Sequence, residues 1–464
     1  MPVLSSKRKI WGYFFLSKER FIFLFVYLIT MEDFDAKTTL KGLIAEFHSK
    51  GIPEAFERDI AIPELKKINK IFVIIGPRRA GKTYFLFNSM KRLIENGNKL
   101  ADILYINFEN ERISEIKLKQ LNLIIEAFME LYPGKTPILF FDEIQNIDGW
   151  EKFVRRLNDS GYRIYISGSN SKLLGKEIAT ALRGRCYPVQ VMPLSFKEFL
   201  RVRNVELALN WEFTDGRHLV KKLFGEYLSS SGFPEVVIEQ KLEFVDEYFK
   251  TMLYRDAVER YKITNAELLR TLMKYLTRNY AQEYSINKFN NFAKSTGYKS
   301  STSVVHKYSR ILEDIFFCFL VKARQKSFKK ESSYVKKSYL ADHGFINYYN
   351  SESDMGRLLE NVVYIELVRR DMEAHYYKNG FECDFVTQNQ CIQVCHTLTN
   401  ENKEREINGL KEAVGRFNIK TATILTYDQE SEINEGAKIK VIPIWKWLLE
   451  TQKSDFTKSH CQQS

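Results

Sequence analysis

The chain has 464 residues, of which 44% are hydrophobic and 28% are charged. This composition predicts a globular protein of about two to four domains and excludes disordered and fibrous classes. The formal net charge of +12 favours an anionic partner, either nucleic acid or an acidic membrane face. A basic surface can also simply keep a protein solvated, so the net charge alone does not identify a partner.

Residues 1–30 form an apolar extension that a short polar segment interrupts. The apolar runs are Trp11–Leu16 and Phe21–Thr30, and Ser17–Arg20 separates them. Neither run approaches the ~20 apolar residues that a membrane-spanning helix needs, and no small-residue cleavage site follows. Two interpretations remain: the extension is an interfacial anchor, or Met31 is the true start of the protein. We favour the second and predict no membrane attachment.

The cysteines indicate a reducing compartment. None of the six belongs to a C-x-x-C pair: Cys186, Cys318, Cys383, Cys391, Cys395 and Cys461. A disulfide framework is not expected at this length, so we predict a cytoplasmic protein. Cys391, Cys395 and His396 lie close enough to suggest zinc. However, Cys391, Gln393 and Cys395 alternate along a predicted strand without a fourth ligand nearby, so we predict no zinc site.

A phosphate-binding loop joins a predicted strand, Ile71–Ile75, to a predicted helix that begins near Tyr84. The loop has the spacing G-x-x-x-x-G-K-T and consists of Gly76, Pro77, Arg78, Arg79, Ala80, Gly81, Lys82 and Thr83. Its glycines let successive N–H groups point at phosphate oxygens, and the helix presents its positive end to the same anion. We predict that Lys82 reaches the β- and γ-phosphates of ATP and that the Thr83 hydroxyl binds Mg²⁺.

Two acids end the next strongly apolar strand. The residues Ile138 to Phe141 lead directly into Asp142 and Glu143. A buried strand would place Asp142 at its C-terminal end, facing the phosphate loop, where it can hold Mg²⁺ directly or through water. Glu143 would then act as the general base that polarises the attacking water. The alternative is a strand that stops at a solvated acidic turn.

Further candidates follow the strand over residues 162–167. Ser169 and Asn170 stand where a polar side chain would lie beside the γ-phosphate and position water, although both could be turn formers only. Arg185 precedes another strand, and an arginine here can stabilise charge on the transferring phosphoryl group, in its own subunit or in a neighbour's. A solvated arginine is the alternative. Because such an arginine could act on the nucleotide bound to a neighbouring subunit, we also consider a homo-oligomer.

The predicted strands alternate with helices, including helices over residues 36–49 and 114–132. This alternation predicts an α/β fold with a doubly wound parallel sheet, whose ligand lies at the C-terminal ends of the strands. We place the ATPase core at residues 31–195. The residues after it, 196–283, are helical in pattern and would form a lid that closes over the nucleotide.

Five motifs in this order resemble the archaeal ATPase family, a group of AAA-like proteins. They are the phosphate loop, Phe140–Gln145, Ile166–Ser169, Pro193–Leu200 and Gly232–Glu235. The resemblance covers the chain from about Arg58 to the C-terminus. It implies an AAA-type P-loop ATPase core, a small helical lid, a winged helix and a restriction-endonuclease-like C-terminal domain. It implies no substrate.

Residues 284–345 fit the implied winged helix. We predict one helix over Ile286–Ser295, a turn, and a second helix over Thr302–Leu320. Between Lys299 and Lys337 the sequence has ten basic residues and three acids: Lys299, Lys307, Arg310, Lys322, Arg324, Lys326, Lys329, Lys330, Lys336 and Lys337 against Glu313, Asp314 and Glu331. This density predicts contacts with nucleic-acid phosphates, and a protein-binding winged helix is the alternative.

Residues 355–450 only partly match the implied nuclease core. In that core a helical Glu, a strand Asp and an E-x-K motif bind Mg²⁺ and polarise water. Glu360 and Asp384 match, but Gln393 and Cys395 occupy the E-x-K positions, so the domain is predicted to be degenerate. A basic residue from the Lys403–Arg405 region could replace the missing lysine.

The sequence therefore predicts an ATP-binding protein that uses Mg²⁺, either an ATPase or an ATP-driven switch, with nucleic acid as its large partner. Lys82, Glu143 and Arg185 are the predicted catalytic residues, and Thr83 and Asp142 are the predicted metal ligands. Two alternatives remain: a metal-dependent nuclease with an ATPase regulator, and a nucleotide-gated protein-interaction module.

Overall fold

The computed structural model describes residues 18–60, 62, 70–169, 182, 184–325, 335–434 and 438–450, and it describes side chains from residue 33 onward. Asn170 and the basic residues between 326 and 334 therefore lie outside the described residues. The chain divides into two compact units, one within residues 1–53, 67–71 and 90–166 and the other within residues 54–66, 72–89 and 167–464.

A five-stranded sheet forms the predicted ATPase core, with the strand order β2-β3-β4-β1-β5. Its strands are β1 (Ile71–Ile75), β2 (Ile103–Asn107), β3 (Ile138–Asp142), β4 (Ile164–Gly168) and β5 (Cys186–Gln190). The pairs β2–β3 and β3–β4 are parallel. Every residue of β1 and β4 is buried, as expected of strands whose two faces are both covered.

The helices of this region follow the predicted alternation with strands. They are α1 (Lys18–Lys50), α2 (Lys82–Glu95), α3 (Asn122–Leu131) and α4 (Trp150–Asp159), with 3₁₀ turns at Leu100–Asp102, Glu111–Ile113, Leu118–Gln120 and Ile144–Asn146. The predicted helix over residues 114–132 is too long. The chain forms the 3₁₀ turn at Leu118–Gln120 first, where the Gln120 side chain accepts a hydrogen bond from the Lys117 N–H.

Helix α1 is longer than the predicted 36–49. It runs without a break from Lys18, so the polar residues at its start do not interrupt it. Lys, Glu and Arg are good helix formers, and no proline or glycine occurs between Lys18 and Gly42. The Lys37 ammonium lies 2.9 Å from Glu126 and 2.6 Å from Glu130 of α3. Among the residues that the structure describes, no helix has the length and apolarity that crossing a membrane requires.

The second unit continues with the helices predicted over residues 196–283. They are α5 (Phe196–Val202), α6 (Gly216–Ser229), α7 (Pro234–Glu239), α8 (Phe244–Thr251), a π-helix (Met252–Glu259) and α9 (Ala266–Arg278), with a 3₁₀ turn at Trp211–Phe213. Their apolar faces share one core that includes Phe224, Phe233 and Leu272, each fully buried.

A small three-stranded sheet follows, with the order β6-β8-β7 and antiparallel pairing. Its elements are β6 (Gln282–Tyr284), α10 (Ile286–Ser295), α11 (Thr302–Asp314), β7 (Cys318–Val321) and β8 (Lys336–Leu340). The predicted helix over Ile286–Ser295 is confirmed.

The prediction that the second helix reaches Leu320 is wrong. Helix α11 ends at Asp314, Phe316 adopts a left-handed conformation with φ 56°, and the chain enters β7. The apolar run over residues 315–321 fits both helical and strand periods, and pairing with β8 decides for the strand.

The C-terminal part is a six-stranded mixed sheet with the order β13-β14-β12-β11-β10-β9. Strands β11, β12 and β14 are parallel to one another, and the outer pairs are antiparallel. Its elements are α12 (Gly344–Tyr349), α13 (Met355–Arg369), β9 (His375–Asn379), β10 (Phe381–Val386), β11 (Gln390–Val394), α14 (Lys403–Phe417), β12 (Thr421–Thr426), β13 (Ser431–Asn434), β14 (Lys438–Pro443) and α15 (Ile444–Leu449). Helix α13 is buried on all sides over residues 358–367, which makes it a central element of the core.

Candidate nucleotide-binding site

The phosphate loop lies between β1 and the first residue of α2. Gly76 has φ 151°, and a Cβ atom built on it would lie 1.9 Å from the Val191 carbonyl oxygen. The Val191 N–H also donates to the Ile75 carbonyl oxygen at 2.7 Å, so the backbone after β5 closes on the start of the loop. Only glycine fits at position 76, and Gly81, with φ 93°, also needs a conformation that favours glycine.

Lys82 and Thr83 are the first two residues of α2. The Lys82 side chain is 5% exposed, and its Nζ donates to the Pro77 carbonyl oxygen at 3.0 Å. The amino group is therefore folded over the loop. The first N–H groups of α2 lack partners within the helix, and the helix dipole adds positive potential at the same end. These features together suit a bound phosphate group.

Arg58, which precedes β1 in the chain, holds the phosphate loop through hydrogen bonds. The sequence analysis did not predict this role. Its Nη1 donates to the Ala80 carbonyl oxygen at 2.8 Å, and its Nη2 donates to the Met192 carbonyl oxygen at 2.6 Å. Its Nε donates to Glu198 at 2.8 Å. The guanidinium is 6% exposed, so these bonds form in a desolvated environment. Arg58 therefore holds the loop and the chain after β5 in one fixed arrangement.

Glu198 accounts for the sequence motif over residues 193–200. Ser195 caps α5 by accepting a hydrogen bond from the Glu198 N–H, and Glu198 accepts one from the Ser195 N–H, which is a capping box. Burial alone would raise the pKa of Glu198, but the Arg58 guanidinium and these N–H donors hold it below its usual value. The motif over residues 193–200 thus supplies the carboxylate that pairs with Arg58.

The two arginines of the loop contact the helices that follow. Arg78 pairs with Asp256, with Nε–O distances of 3.2 and 3.1 Å. Arg79 adopts a left-handed conformation, pairs with Glu235 at 3.4 Å and lies over the ring of Tyr248. Glu235 also accepts a hydrogen bond from the Tyr248 hydroxyl at 2.6 Å. The motif over residues 232–235 therefore contributes a contact to the phosphate loop.

Asp142 and Glu143 are buried at the end of β3. Asp142 is fully buried and accepts a hydrogen bond from the Tyr105 hydroxyl at 3.1 Å. Burial and the Asp142 carboxylate raise the pKa of Tyr105 above its usual range, so this hydroxyl remains a donor. Glu143 is 8% exposed, adopts a left-handed conformation with φ 52°, and accepts a hydrogen bond from the Gln145 side chain. The alternative of a solvated acidic turn is wrong, because neither carboxylate faces open solvent.

The remaining predicted site residues have different surroundings. Ser169 directly follows β4, is 1% exposed, and accepts a hydrogen bond from Arg260 Nη2 at 3.4 Å. Asn170 lies outside the described residues. Arg185 is half-buried just before β5, and its N–H donates to the Leu182 carbonyl oxygen at 3.1 Å.

Two family models and two known proteins match the sequence of this chain. A model described as "AAA domain" matches residues 68–200, and one described as a domain of unknown function matches residues 221–355. An uncharacterized protein of Methanocaldococcus jannaschii is 39% identical over 417 residues, which are 85% of this chain and 91% of that protein. An uncharacterized protein of Haemophilus influenzae is 30% identical over 405 residues, which are 83% of this chain and 96% of that protein.

The chain belongs to the same protein family as these two proteins, and its residues 68–200 form an AAA domain. The match to the AAA domain contains the phosphate loop, both acids and the Glu198 motif. The resemblance to an ATPase family is therefore confirmed at this level. A solved Walker-type ATPase of Pyrococcus abyssi is 16% identical, and the match covers 64% of this chain and 99% of that chain. Its TM-score of 0.36 is too low to carry an argument about function.

A second cluster of charged residues lies in the C-terminal part of the chain, where the sequence predicted a degenerate nuclease site. The Lys337 ammonium lies 2.9 Å from Glu360, 2.5 Å from Glu382 and 3.2 Å from Asp384. Burial alone would lower the pKa of Lys337, but these carboxylates raise it well above its usual value. Lys337, which comes from β8 rather than from the Lys403–Arg405 region, is thus the basic residue of this cluster.

The two residues that break the E-x-K pattern have structural contacts. Gln393 accepts a hydrogen bond from the Asp384 N–H at 3.2 Å and donates to Glu406 at 2.7 Å. Glu406 also pairs with Arg405 at 2.5 Å, so the predicted rescuing arginine is engaged there. Burial raises the pKa of the Cys395 thiol to about 12, which keeps it protonated. Within the described ranges, no group of three or more His, Cys, Asp or Glu side chains is arranged to hold a metal.

The charged groups around Lys337 predict that the stability of the fold depends on pH. Burial and the neighbouring Glu360 raise the pKa of Asp384 to about 8, although Lys337 opposes the shift. The folded chain keeps this proton up to about pH 8, whereas the unfolded chain loses it near the ordinary aspartate pKa of 3.8. The stabilising contribution is full below the unfolded value and is lost as pH rises through the folded value, by about 1.4 kcal/mol per unit.

Asp384→Asn is therefore expected to flatten the fall in stability between about pH 6 and pH 8, because Asn mimics the protonated acid. The measurement is the free energy of urea unfolding across this range. Glu432→Gln, at a side chain 52% exposed on β13, is the matched control and should follow the wild type. Parallel pH profiles for wild type and Asp384→Asn would contradict the prediction.

Proposed function

We propose that this protein binds ATP at the phosphate loop and hydrolyses it with Mg²⁺. The observation that carries the proposal is the loop itself: Gly76 fits only as glycine, Lys82 is folded over the loop, and α2 begins at its end. These features suit a phosphate chain and have no other evident purpose. The AAA-domain match over residues 68–200 supports the same function.

Each predicted residue has a role in this proposal. Lys82 binds the β- and γ-phosphate oxygens, and the backbone N–H groups of the loop cradle them. Glu143 takes the proton from the attacking water, and the Gln145 side chain orients its carboxylate. Ser169 positions water near the terminal phosphate, and Arg185 stabilises the charge that develops during transfer. Asn170 remains a sequence-based prediction only.

The residues proposed for Mg²⁺ fit that ion. Thr83 offers a hydroxyl and Asp142 a carboxylate, and hard oxygen ligands of this kind suit Mg²⁺. Bound Mg²⁺ would neutralise charge on the β- and γ-phosphates. The Tyr105 hydroxyl donates to one oxygen of the Asp142 carboxylate and so helps to orient it.

We further propose that the helices over residues 196–283 act as a lid that responds to the nucleotide. Arg78 and Arg79 extend from the loop to Asp256 and Glu235 of these helices. A change of phosphate occupancy that moves either arginine would therefore move a lid contact.

The test of ATP binding is displacement of a fluorescent ATP analogue by unlabelled ATP in the presence of Mg²⁺. We expect saturable displacement by ATP, and little displacement by AMP, which lacks the β- and γ-phosphates that the loop would bind. Equal displacement by ATP and AMP would show that the loop is not the site.

Nucleic acid is the proposed large partner, bound through the predicted winged helix over residues 284–345. The described basic residues between Lys299 and Lys337 differ in their exposure and contacts. Lys299, Lys307 and Arg310 are exposed on or beside α11. Lys337 is buried among carboxylates, and Arg324 donates to the Thr387 carbonyl oxygen at 2.5 Å, so these two serve the fold.

Replacing Lys299, Lys307 and Arg310 together with Gln is expected to weaken binding to a short DNA or RNA duplex. Each lost phosphate contact should lower the slope of log affinity against log salt by about one. The measurement is fluorescence anisotropy at several salt concentrations. The matched control replaces the exposed Lys420, Lys438 and Lys440 with Gln, which removes the same charge from the C-terminal sheet.

Two outcomes separate the candidates for the partner. Equal effects of the two triple variants would show that binding is non-specific attraction to a basic protein. Absence of binding at low salt would favour the protein-interaction module instead. The nuclease alternative would require the Lys337 ammonium to move from among Glu360, Glu382 and Asp384 before a divalent ion bound there.

A further inference from the structure

Asp342, two residues beyond β8, holds a distant segment of the chain. Its carboxylate is buried, and its Oδ1 accepts hydrogen bonds from the Ser231 hydroxyl at 2.6 Å and from the Gly344 N–H at 2.7 Å. Its Oδ2 accepts one from the Gly232 N–H at 2.8 Å. The segment that it holds leads directly into α7, which contacts the phosphate loop through Glu235. Asp342 therefore fixes the approach to a residue that contacts the loop.

Two glycines leave no free space at this junction. A Cβ atom built on Gly232 would lie 2.8 Å from Asp342 Oδ2 and 2.9 Å from the Leu194 carbonyl oxygen. A Cβ atom built on Gly344 would lie 2.6 Å from the Ser231 Cβ. The Leu194 N–H also donates to the Gly232 carbonyl oxygen at 2.6 Å. Because three backbone segments meet here in close contact, one of them cannot shift without displacing the others.

Arg369, the last residue of α13, holds the segment that follows β5. Its Nε and Nη2 donate to the Pro193 carbonyl oxygen at 3.1 and 2.9 Å, and Nη2 also donates to the Leu194 carbonyl oxygen at 3.0 Å. Arg58 donates to the preceding carbonyl oxygen in the same segment and to Ala80 of the phosphate loop. The backbone of the loop is therefore connected to α13 through Arg58 and a short stretch of chain.

The opposite ends of β8 and α13 meet in the Lys337 cluster, which consists of Lys337, Glu360, Glu382 and Asp384. Lys337 is the second residue of β8, and Glu360 lies on α13. Their ammonium and carboxylate groups are 2.9 Å apart. The hydroxyl of Tyr339, also on β8, donates to the same carboxylate at 2.6 Å. The cluster thus joins the strand to the helix by buried polar contacts.

Strand β8 and helix α13 also contact each other beyond the cluster. The Leu340 N–H donates to Asn361 Oδ1 at 2.8 Å, and Asn361 Nδ2 donates to the Leu340 carbonyl oxygen at 3.0 Å. The extended chain spans roughly 16 Å from the cluster to Asp342. The helix spans roughly 14 Å from the cluster to Arg369. Two elements that are bonded to each other therefore connect the cluster to the segments that hold the phosphate loop.

We propose that the phosphate loop, β8 and α13 open as one cooperative unit, in which Asp342 and Arg369 are the positioning residues that transmit nucleotide binding to the Lys337 cluster. The inference rests on the proposed ATP-binding function and names the part of the chain that the nucleotide regulates. Because the coupling of two sites is reciprocal, the state of the cluster also affects the affinity for ATP. The competing explanation is that Asp342 and Arg369 only stabilise the fold.

The test is amide hydrogen exchange of the full chain, measured by mass spectrometry with and without ATP and Mg²⁺. An opening that breaks the ATP site becomes rarer by a factor of one plus the ratio of ATP concentration to Kd. At an ATP concentration about 100 times Kd, exchange of β8 and α13 should therefore slow by roughly 10- to 100-fold. The edge strand β13 should keep its rate, because it can open without breaking the site.

Asp342→Asn and Arg369→Lys should uncouple the two regions. Asn replaces one acceptor oxygen with a donor, and Lys keeps the charge but lacks the planar fork that bonds two carbonyl oxygens. In each variant ATP should still slow exchange in the phosphate loop, but it should no longer slow exchange in β8 and α13. Asp371→Asn, at an exposed acid just beyond α13, is the matched control and should behave as the wild type does.

A purely structural role of Asp342 and Arg369 gives a different result. Both variants would then exchange faster by the same factor with and without ATP, and ATP would slow β8 and α13 as much as in the wild type. That result would overturn the inference. If neither variant folds, the wild type decides: slowing of β8 and α13 without β13 supports the inference, and equal slowing of all three overturns it.

The inference and the proposed function fail in different ways. A wild-type chain that does not bind ATP overturns both. A wild-type chain that binds ATP while β8 and α13 exchange at an unchanged rate overturns this inference alone.

Discussion

Glu143→Gln is expected to lower the rate of ATP hydrolysis by roughly 100-fold or more while ATP still binds, because a lost general base removes that much of the rate. Gln keeps the size of the side chain, and Glu143 is only 8% exposed, so the fold should tolerate the change. The amide cannot accept a proton from water at neutral pH. The measurement pairs phosphate release with equilibrium ATP binding on the same preparation.

The control for this experiment is Glu115→Gln, at an exposed acid between β2 and α3. It should hydrolyse ATP at the wild-type rate. Normal hydrolysis by Glu143→Gln would mean that another residue activates the water. Loss of ATP binding by Glu143→Gln would instead assign Glu143 a role in holding the nucleotide, contrary to its proposed role as a base.

Lys82→Ala is expected to weaken ATP binding by roughly 100-fold, the equivalent of about 3 kcal/mol for a charge-assisted hydrogen bond in a desolvated site. The loop offers no other lysine, and the shortened side chain cannot reach the phosphates. The variant also loses the bond to the Pro77 carbonyl oxygen, so its folded state is checked separately by its melting temperature. Isothermal titration with ATP and Mg²⁺ measures the change.

Lys91→Ala, later on the same helix, is the matched control and should bind ATP as the wild type does. A melting temperature for each variant separates loss of binding from loss of fold. Equal ATP affinity of Lys82→Ala and wild type would remove the phosphate loop from the proposed function.

The sequence predicted the parts of the site that are local in the chain. The phosphate loop, its preceding strand and its following helix occupy consecutive residues, so spacing alone reveals them. The strand that ends at Asp142 is equally local, because a continuous apolar run followed by acids has few other interpretations. Ser195 and Glu198 belong to a motif that the sequence analysis recognised, but neither their capping box nor the connection to Arg58 was predicted.

The contacts that depend on distant segments could not be predicted. Arg58 and Glu198 are separated by 140 residues, and Arg78 and Asp256 by 178. No periodicity in one sequence links such pairs, since only the folded chain brings them together. Lys337 shows the same limit: it counted as one of ten basic residues for nucleic acid, yet it lies buried among three acidic side chains.

Secondary structure was mispredicted where two patterns compete. The residues after Asp314 are apolar and aromatic, and they suit a buried helix as well as a strand. Strand β7 forms because β8 offers a partner whose residues are distant in the sequence. Helix α1 is longer than predicted because the polar residues from Lys18 to Arg20 are good helix formers and do not stop the helix.

The most direct test of the central claim is phosphate release from ATP by the purified full chain, measured with Mg²⁺ and again with excess chelator. The proposed function predicts steady release with Mg²⁺, none with chelator, and none from Lys82→Ala under either condition. Release that is absent with Mg²⁺, or equal in wild type and Lys82→Ala, would contradict the proposal that this protein is a Mg²⁺-dependent ATPase.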